Sequence, residues 1–150
     1  MDFTKFDARG KAEAGKAFPI LHPETLEPLV EDDKTAMFIV RSNSSPSVQA
    51  AQKLNLAEKM SLAKDDKDVY TMENLHQDTM KEALSLLVGF ENVELNGVPV
   101  TMENAKDFLN LVFPRHEKDL ENGGLKVVNK SFAIQVIERA AELEKSLGNV

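Results

Sequence analysis

The sequence predicts a mainly α fold with two small β-hairpins, an arrangement of the α+β class in which a compact helical domain carries an N-terminal β-rich segment. Two observations lead to this prediction. Apolar residues recur at the three- and four-residue spacing of amphipathic helices, and shorter apolar runs next to turn residues indicate strands. The helical spacing is found in residues 46–63, 71–88, 102–112 and 131–147.

The length and composition of the chain are those of one domain. Of its 150 residues, 42% are hydrophobic, which is enough to build a core without metals or disulfides. We therefore predict a single domain over residues 1–150. Within it we expect a mobile arm at residues 1–16, a β-rich segment at 17–44, and a helical body at 45–150 that includes a hairpin at 92–100.

Two strand-like runs lie near the N-terminus. Ala17–Leu21 and Ala36–Arg41 are largely apolar, and the connection between them contains Pro23 and Pro28, which suit a turn. We expect the two runs to pair as an antiparallel hairpin or meander. Because an isolated hairpin is only marginally stable in water and unpaired strand edges invite pairing, we also expect weak self-association.

Capping residues mark the ends of the first two helices. Ser42–Pro46 combines small polar N-cap candidates with a proline in the first turn, so a helix is expected to start there and to run to about Ala63. A second helix is expected from Thr71 to about Val88. Gly89 would end it, since glycine is favoured just beyond a helix C-terminus.

The second half of the chain predicts a hairpin followed by three helices. Asn96-Gly97 lies between short apolar alternations, which is the strongest short-range hairpin signal. A third helix is expected from Thr101 to about Val112. Pro114 would restart the chain in a short helix to Glu121, and a final helix is expected over about Ser131–Leu147.

The sequence offers little for catalysis or metal binding. It has no cysteine, which excludes disulfides, thiolate zinc sites and cysteine nucleophiles. Of His22, His76 and His116, only the last has a candidate ligand at helical spacing, Asp119, and a solvated helix surface is the preferred interpretation of that pair. No nucleophile or phosphate-loop motif occurs. We predict that the protein is not an enzyme and has no cofactor and no metal site.

The charge of the chain argues against nucleic acid as a partner. Its 18 basic residues are scattered and are outnumbered by 25 acidic ones, whereas phosphate binding needs clustered Lys and Arg. The apolar runs are too short to cross a bilayer, and the polar segment Met1–Gly10 does not suit a signal peptide. We therefore expect no nucleic-acid or membrane partner. The acidic runs at 31–33 and 65–68 are interpreted as solvated turns rather than calcium loops.

Three stretches together carry a resemblance to a known family. The first is an apolar strand followed by His-Pro-x-Thr-x-Glu-Pro-Leu at residues 18–29. The second is a strand, a small-polar loop and a helix containing Ala and Gln at residues 39–52, and the third comprises residues 89–105 with Phe113-Pro114. In order and spacing these stretches, which span most of residues 17–135, resemble the tail assembly chaperones of long-tailed bacteriophages.

The resemblance implies a protein-binding function. Members of this family bind the tape measure protein, keep it soluble and recruit tail tube subunits; they are not enzymes and are absent from the finished virion. It thus implies a tail assembly chaperone in the host cytoplasm, with the tape measure protein and the tail tube protein as partners. The alternative is a structural minor tail or tail completion protein that remains in the virion.

A surplus of apolar residues at the end of the third predicted helix suggests a binding surface. Leu111 lies off the apolar stripe to which Phe108 belongs, and Pro114 forces the chain to turn. One interpretation is that the final helix buries the extra apolar side chains. The other is that they border an apolar groove that accepts a partner helix. The residues of this candidate groove are Phe108, Leu111, Phe113 and Pro114.

Overall fold

The fold is mixed α+β, with more sheet than the sequence indicated. The computed structural model describes residues 1–7, 9–64 and 72–148. Within them it contains one three-stranded and three two-stranded antiparallel sheets besides five α-helices. The prediction of a mainly α fold with only two small hairpins is therefore wrong. It failed because several apolar runs with helix-compatible spacing pair as strands with distant partners.

Helices and short strands are interspersed along the chain. The helices are α1 (Arg9–Ala14), α2 (Pro46–Lys64), α3 (Met72–Leu86), α4 (Ala105–Leu109) and α5 (Phe132–Gly148), preceded by a 3-10 turn at Phe3–Phe6. The strands are β1 (Lys16–Pro19), β2 (Val30–Glu31), β3 (Lys34–Thr35), β4 (Met37–Val40), β5 (Leu87–Glu91), β6 (Glu94–Leu95), β7 (Val98–Pro99), β8 (Val112–Lys118) and β9 (Leu125–Ser131). Residues 9–14, expected in a mobile arm, form α1, whose Ala12 is buried.

The central sheet has the strand order β1-β4-β5, and all its pairings are antiparallel. The predicted antiparallel pairing of the two N-terminal strands is confirmed, with Phe18 opposite Phe38. The third strand was unexpected. Helix α3 ends at Leu86, before the predicted end at Val88, and the following residues pair with β4 so that Phe90 lies opposite Phe38.

The core lies between this sheet and helices α3 and α5. Fully buried side chains come from all three: Phe38 from β4, Leu86 from α3 and Val136 from α5. Each large apolar side chain that leaves water contributes roughly 1.5–3 kcal/mol to the free energy of unfolding. The final predicted helix is confirmed as α5, because its apolar face has both the sheet and α3 to pack against.

The outer edge of β1 is protected from further strand pairing. Pro19 provides no N–H, and the side-chain amide of Gln135 accepts a hydrogen bond from the Leu21 N–H (3.0 Å) and donates one to the Leu21 carbonyl (2.9 Å). A second strand would need these groups. This edge of the sheet is therefore a poor site for the self-association that the sequence predicts.

The segment after α4 is a long hairpin and not a helix. The predicted short helix from Pro114 to Glu121 is wrong, and the third helix, predicted from Thr101 to Val112, is confined to Ala105–Leu109. Strands β8 and β9 pair over seven residues each, with Pro114 opposite Asn129. A two-stranded sheet leaves one side of every strand free, so a proline is tolerated there.

Candidate partner-binding cleft

Two short hairpins form the sides of a cleft. Strands β2 and β3 are joined by Asp32 and Asp33, and strands β6 and β7 by Asn96 and Gly97; all four turn residues have positive φ, from 51° to 79°. Two consecutive residues in this conformation make the type I′ turn, whose twist matches that of paired strands. The hairpin predicted from Asn96-Gly97 is confirmed, and the hairpin at Asp32-Asp33 was not predicted.

Backbone hydrogen bonds anchor the first hairpin to the body. Below β2 and β3, the Ala36 N–H donates to the Leu29 carbonyl (2.9 Å), and the Leu29 N–H donates to the Ile20 carbonyl (3.0 Å). The Asn92 side-chain amide donates to the Thr35 carbonyl (2.9 Å), which joins the end of β3 to the residues that lead into β6. The bases of the two hairpins are therefore held together.

An aromatic row supports the floor of the cleft. The rings of Phe38 and Phe90 meet edge to face at 6.4 Å, those of Phe90 and Phe108 at 5.3 Å, and those of Phe108 and Phe132 stack at 4.9 Å. Such ring pairs add roughly 0.5–1.5 kcal/mol each beyond the burial of their area. The row connects β4, β5, α4 and α5, so the floor is part of the packed core.

The cleft itself encloses a cavity of about 680 Å³. That volume lies within the range of about 300–1,000 Å³ that is usual for ligand pockets. Its apolar lining comes from β2, from residues next to β1, β2, β4 and β6, and from helices α4 and α5. The apolar residues in contact with the cavity are Ile20, Leu29, Val30, Ala36, Val93, Phe108 and Phe132.

The rim of the cleft is mainly acidic. Glu31, Asp32 and Glu94 bring three carboxylates to the cavity lining, against the single ammonium group of Lys34. Charges at the edge of a low-dielectric cavity attract complementary groups more strongly than they do in open water. The arrangement suits an apolar group flanked by Lys or Arg.

A second polar cluster surrounds the start of α2. The Glu13 carboxylate accepts hydrogen bonds from the hydroxyls of Ser45 and Ser47 and from the Ser47 N–H (3.2 Å). The Glu144 carboxylate accepts them from the hydroxyls of Ser42 and Ser44 and from the Ser44 N–H (3.1 Å). The predicted capping function of this serine-rich segment is confirmed, since the Val48 N–H donates to the Ser45 hydroxyl (3.4 Å).

The hydroxyls of this serine cluster stabilise the charged form of both carboxylates. The hydroxyls of Ser45 and Ser47, in that order, hold the pKa of Glu13 down to about 2, and the hydroxyls of Ser42 and Ser44 lower the pKa of Glu144. These hydrogen bonds tie the start of α2 to α1 through Glu13 and to α5 through Glu144.

The predicted site residues lie in two places. Phe108 forms part of the cleft floor and is 5% exposed. Leu111 is 38% exposed and does not line the cavity. Phe113 and Pro114 lie in β8, where the backbone pairs them with Lys130 and Asn129; their side chains lie outside the described part of the chain.

The hairpin of β2 and β3 was not predicted because its signal in the sequence is weak. Val-Glu-Asp-Asp-Lys-Thr has only one apolar residue before the turn and none after it. Aspartate tolerates the left-handed conformation, and two consecutive aspartates between short alternating runs are compatible with a two-residue hairpin loop. That pattern would have indicated the hairpin and brought Glu31 and Lys34 into the candidate site.

Two kinds of feature were sought in the described residues, groups of metal ligands and membrane-spanning helices, and neither is present. Over residues 1–7, 9–64 and 72–148, no three His, Asp or Glu side chains are grouped so as to bind a metal ion. In the same ranges no helix is long and apolar enough to cross a bilayer.

Comparisons of the chain with protein-family profiles, with curated protein sequences and with solved structures found no match.

Proposed function

We propose that the protein is a phage tail assembly chaperone that binds the tape measure protein, keeps it soluble and helps to recruit tail tube subunits. The observation that carries the proposal is the cleft, with an apolar floor and an acidic rim between two anchored hairpins. The choice of the tape measure protein as the partner rests on the resemblance of most of residues 17–135 to this chaperone family. The protein acts by binding and not by catalysis.

The cleft has the properties needed to protect an aggregation-prone segment. An amphipathic helix places its apolar anchors at spacings of three, four and seven residues and lays that face into an apolar groove. Burial of those anchors removes apolar surface from water and thereby favours the complex. While they are covered, they are not available to other unassembled copies, which is how a chaperone of this kind maintains solubility.

Co-purification of tape measure fragments tests the proposal. Val93→Arg introduces a bulky charge into the cavity lining, whereas Val98→Arg makes the same change on β7, outside the cavity, at a residue that is 57% exposed. We expect the first variant to lose tape measure fragments and the second to retain them. Circular dichroism and thermal melting establish that both are folded.

Glu94→Lys provides a second variant. It should not disturb folding, because the Glu94 side chain is exposed at the rim of the cleft. It is expected to weaken binding of basic tape measure fragments without changing the melting temperature. Equal retention of fragments by the wild type, the Val93 variant and the Glu94 variant would contradict the cleft as the binding site. Recovery of the protein in purified virions by mass spectrometry would favour a structural tail component instead.

A further inference from the structure

Helix α2 is much less covered than a helix of its length normally is. It has 19 residues, and among its side chains at positions 46–61 only Val48 is buried, while Ala51 and Asn55 are half-buried. In proteins most of the stability of a helix comes from packing of its amphipathic face. Most of the outward surface of α2 is therefore available for a further contact.

Exposed ion pairs contribute to the contact between α2 and the body. The Lys59 ammonium lies 3.0 Å from the Asp78 carboxylate, and the Lys81 ammonium lies 2.6 Å from the Glu58 carboxylate. Exposed pairs of this kind are worth about 0–1 kcal/mol each. They orient α2 on α3 without burying its apolar residues.

The uncovered face of α2 carries an apolar and basic stripe. Leu56 and Met60, one turn apart, are 59% and 58% exposed, and Lys53 lies three residues before Leu56. Residues at spacings of three, four and seven share one side of a helix. We call Lys53, Leu56 and Met60 the α2 stripe. Its two apolar anchors and neighbouring cation have the chemistry that the cleft is suited to bind.

We propose that the cleft of one copy binds the α2 stripe of a second copy, so that the chain associates head to tail. Leu56 and Met60 would enter the apolar cavity, and Lys53 would meet the carboxylates of Glu31 and Glu94 at the rim. None of the described α2 side chains lines the cavity within its own chain, so the contact is made between copies. This inference does not depend on the proposed function, and a tape measure segment in the same cleft would compete with the second copy.

Electrostatic complementarity favours the cleft, and not helix α2 of another copy, as the partner of the stripe. On the outward side of α2 the stripe carries Lys53, whereas Lys59 and Glu58 already form ion pairs with α3. Packing two copies of α2 together would bring like charges into one interface, which is unfavourable, whereas the rim of the cleft supplies opposite charge. The association is therefore heterologous, and such contacts build chains unless the geometry closes them into rings.

Complementation between two variants tests the proposal. Met60→Glu alters the stripe and leaves the cleft intact, whereas Glu31→Lys combined with Glu94→Lys alters the rim and leaves the stripe intact; all three side chains are exposed. Sedimentation velocity is expected to show wild-type mass rising with concentration and each variant remaining monomeric. An equimolar mixture should form a heterodimer and nothing larger, because only one compatible interface remains.

Leu54→Glu is the matched control, since Leu54 is 68% exposed but lies on the opposite side of α2 from Leu56. It should associate like the wild type, while Met60→Glu should weaken association by at least about tenfold, because its carboxylate would meet the carboxylates at the rim of the cleft. Lys53→Glu serves as a second stripe variant if Met60→Glu melts at lower temperature.

The inference would be overturned by a wild-type protein that stays monomeric at high concentration, by a stripe variant that associates normally, or by a mixture that remains monomeric. Dimers formed by one variant alone would instead show a two-fold interface and would also exclude head-to-tail association. Because Met60→Glu leaves the cleft unchanged, it should still bind tape measure fragments. Failure of the proposed function is thereby distinguished from failure of this inference.

Discussion

The ring of Phe108 stacks on the ring of Phe132 at a centroid distance of 4.9 Å, with the two planes within 1° of parallel. One ring comes from a five-residue helix and the other from the first residue of the last helix. The pair joins α4 to α5 and at the same time forms the floor of the cleft. Stability and partner binding therefore share these side chains.

Phe108→Ala should lower the free energy of unfolding by about 3–5 kcal/mol, the usual cost of removing a buried aromatic ring and leaving a cavity. Phe108 is 5% exposed and contacts both Phe90 and Phe132. Urea denaturation measures the loss. Leu111→Ala, at the exposed end of the same segment, should cost less than about 1 kcal/mol. Similar losses at the two positions would show that the aromatic row does not support the fold.

Leu111→Asp distinguishes the cleft from the surface that the sequence suggested. Leu111 is 38% exposed and does not line the cavity, so the variant should keep its circular dichroism, its melting temperature within a few degrees, and its binding of tape measure fragments. Pull-down of those fragments is the measurement. If the variant folds but no longer binds, the binding surface lies at Leu111 and its neighbours in β8, and not in the cleft.

Stability should decrease with acid because of Glu13. Hydrogen bonds from Ser45 and Ser47 hold its pKa at about 2, below the ordinary value of 4.5. A carboxyl group whose pKa is lowered by folding stabilises the protein fully above its unfolded pKa and loses that contribution as pH falls toward the folded pKa. The melting temperature of the wild type should therefore decline between about pH 4.5 and pH 2.

Glu13→Gln tests that assignment. The variant should melt at lower temperature than the wild type at about pH 7 and should show a smaller decline in acid, because the group that becomes protonated is gone. Glu138→Gln, at an exposed position on α5, is the matched control for the loss of one carboxylate. Parallel profiles for the wild type and Glu13→Gln would mean that other groups, such as Glu144, account for the acid sensitivity.

The two glycines of the α1 region should respond to alanine in opposite ways. Gly15 has φ +76°, and a Cβ atom there would lie 2.6 Å from the Val40 carbonyl oxygen, so Gly15→Ala should destabilise by more than about 1 kcal/mol. Gly10 lies within α1 with nothing near its Cβ position, so Gly10→Ala should stabilise by roughly 0.5–1 kcal/mol. Denaturant midpoints compare them. A neutral Gly15→Ala would indicate that β4 can shift to admit the new methyl group.

Local signals in the sequence were sufficient for part of the fold. Asn96-Gly97 forms the predicted turn because only residues that tolerate positive φ fit a type I′ loop. The serine-rich segment before Pro46 caps α2, and the apolar periodicity of residues 131–147 predicted α5. In each of these cases the determining interaction lies within a few residues of the chain, or the element is long enough for its periodicity to be unambiguous.

Long-range pairing decided the rest. Residues Leu87–Glu91 form a strand, and not the end of a helix, because β4 pairs with them from far away in the sequence. Residues Val112–Lys118 form a strand because β9 pairs with them. Short apolar runs are compatible with helix and strand alike, so the available partner chooses between them. The cleft depends on tertiary packing in the same way. Phe108, which forms part of its floor, was a candidate from the sequence, but only the packed structure shows that Glu31 and Glu94 lie at the rim of the same cavity.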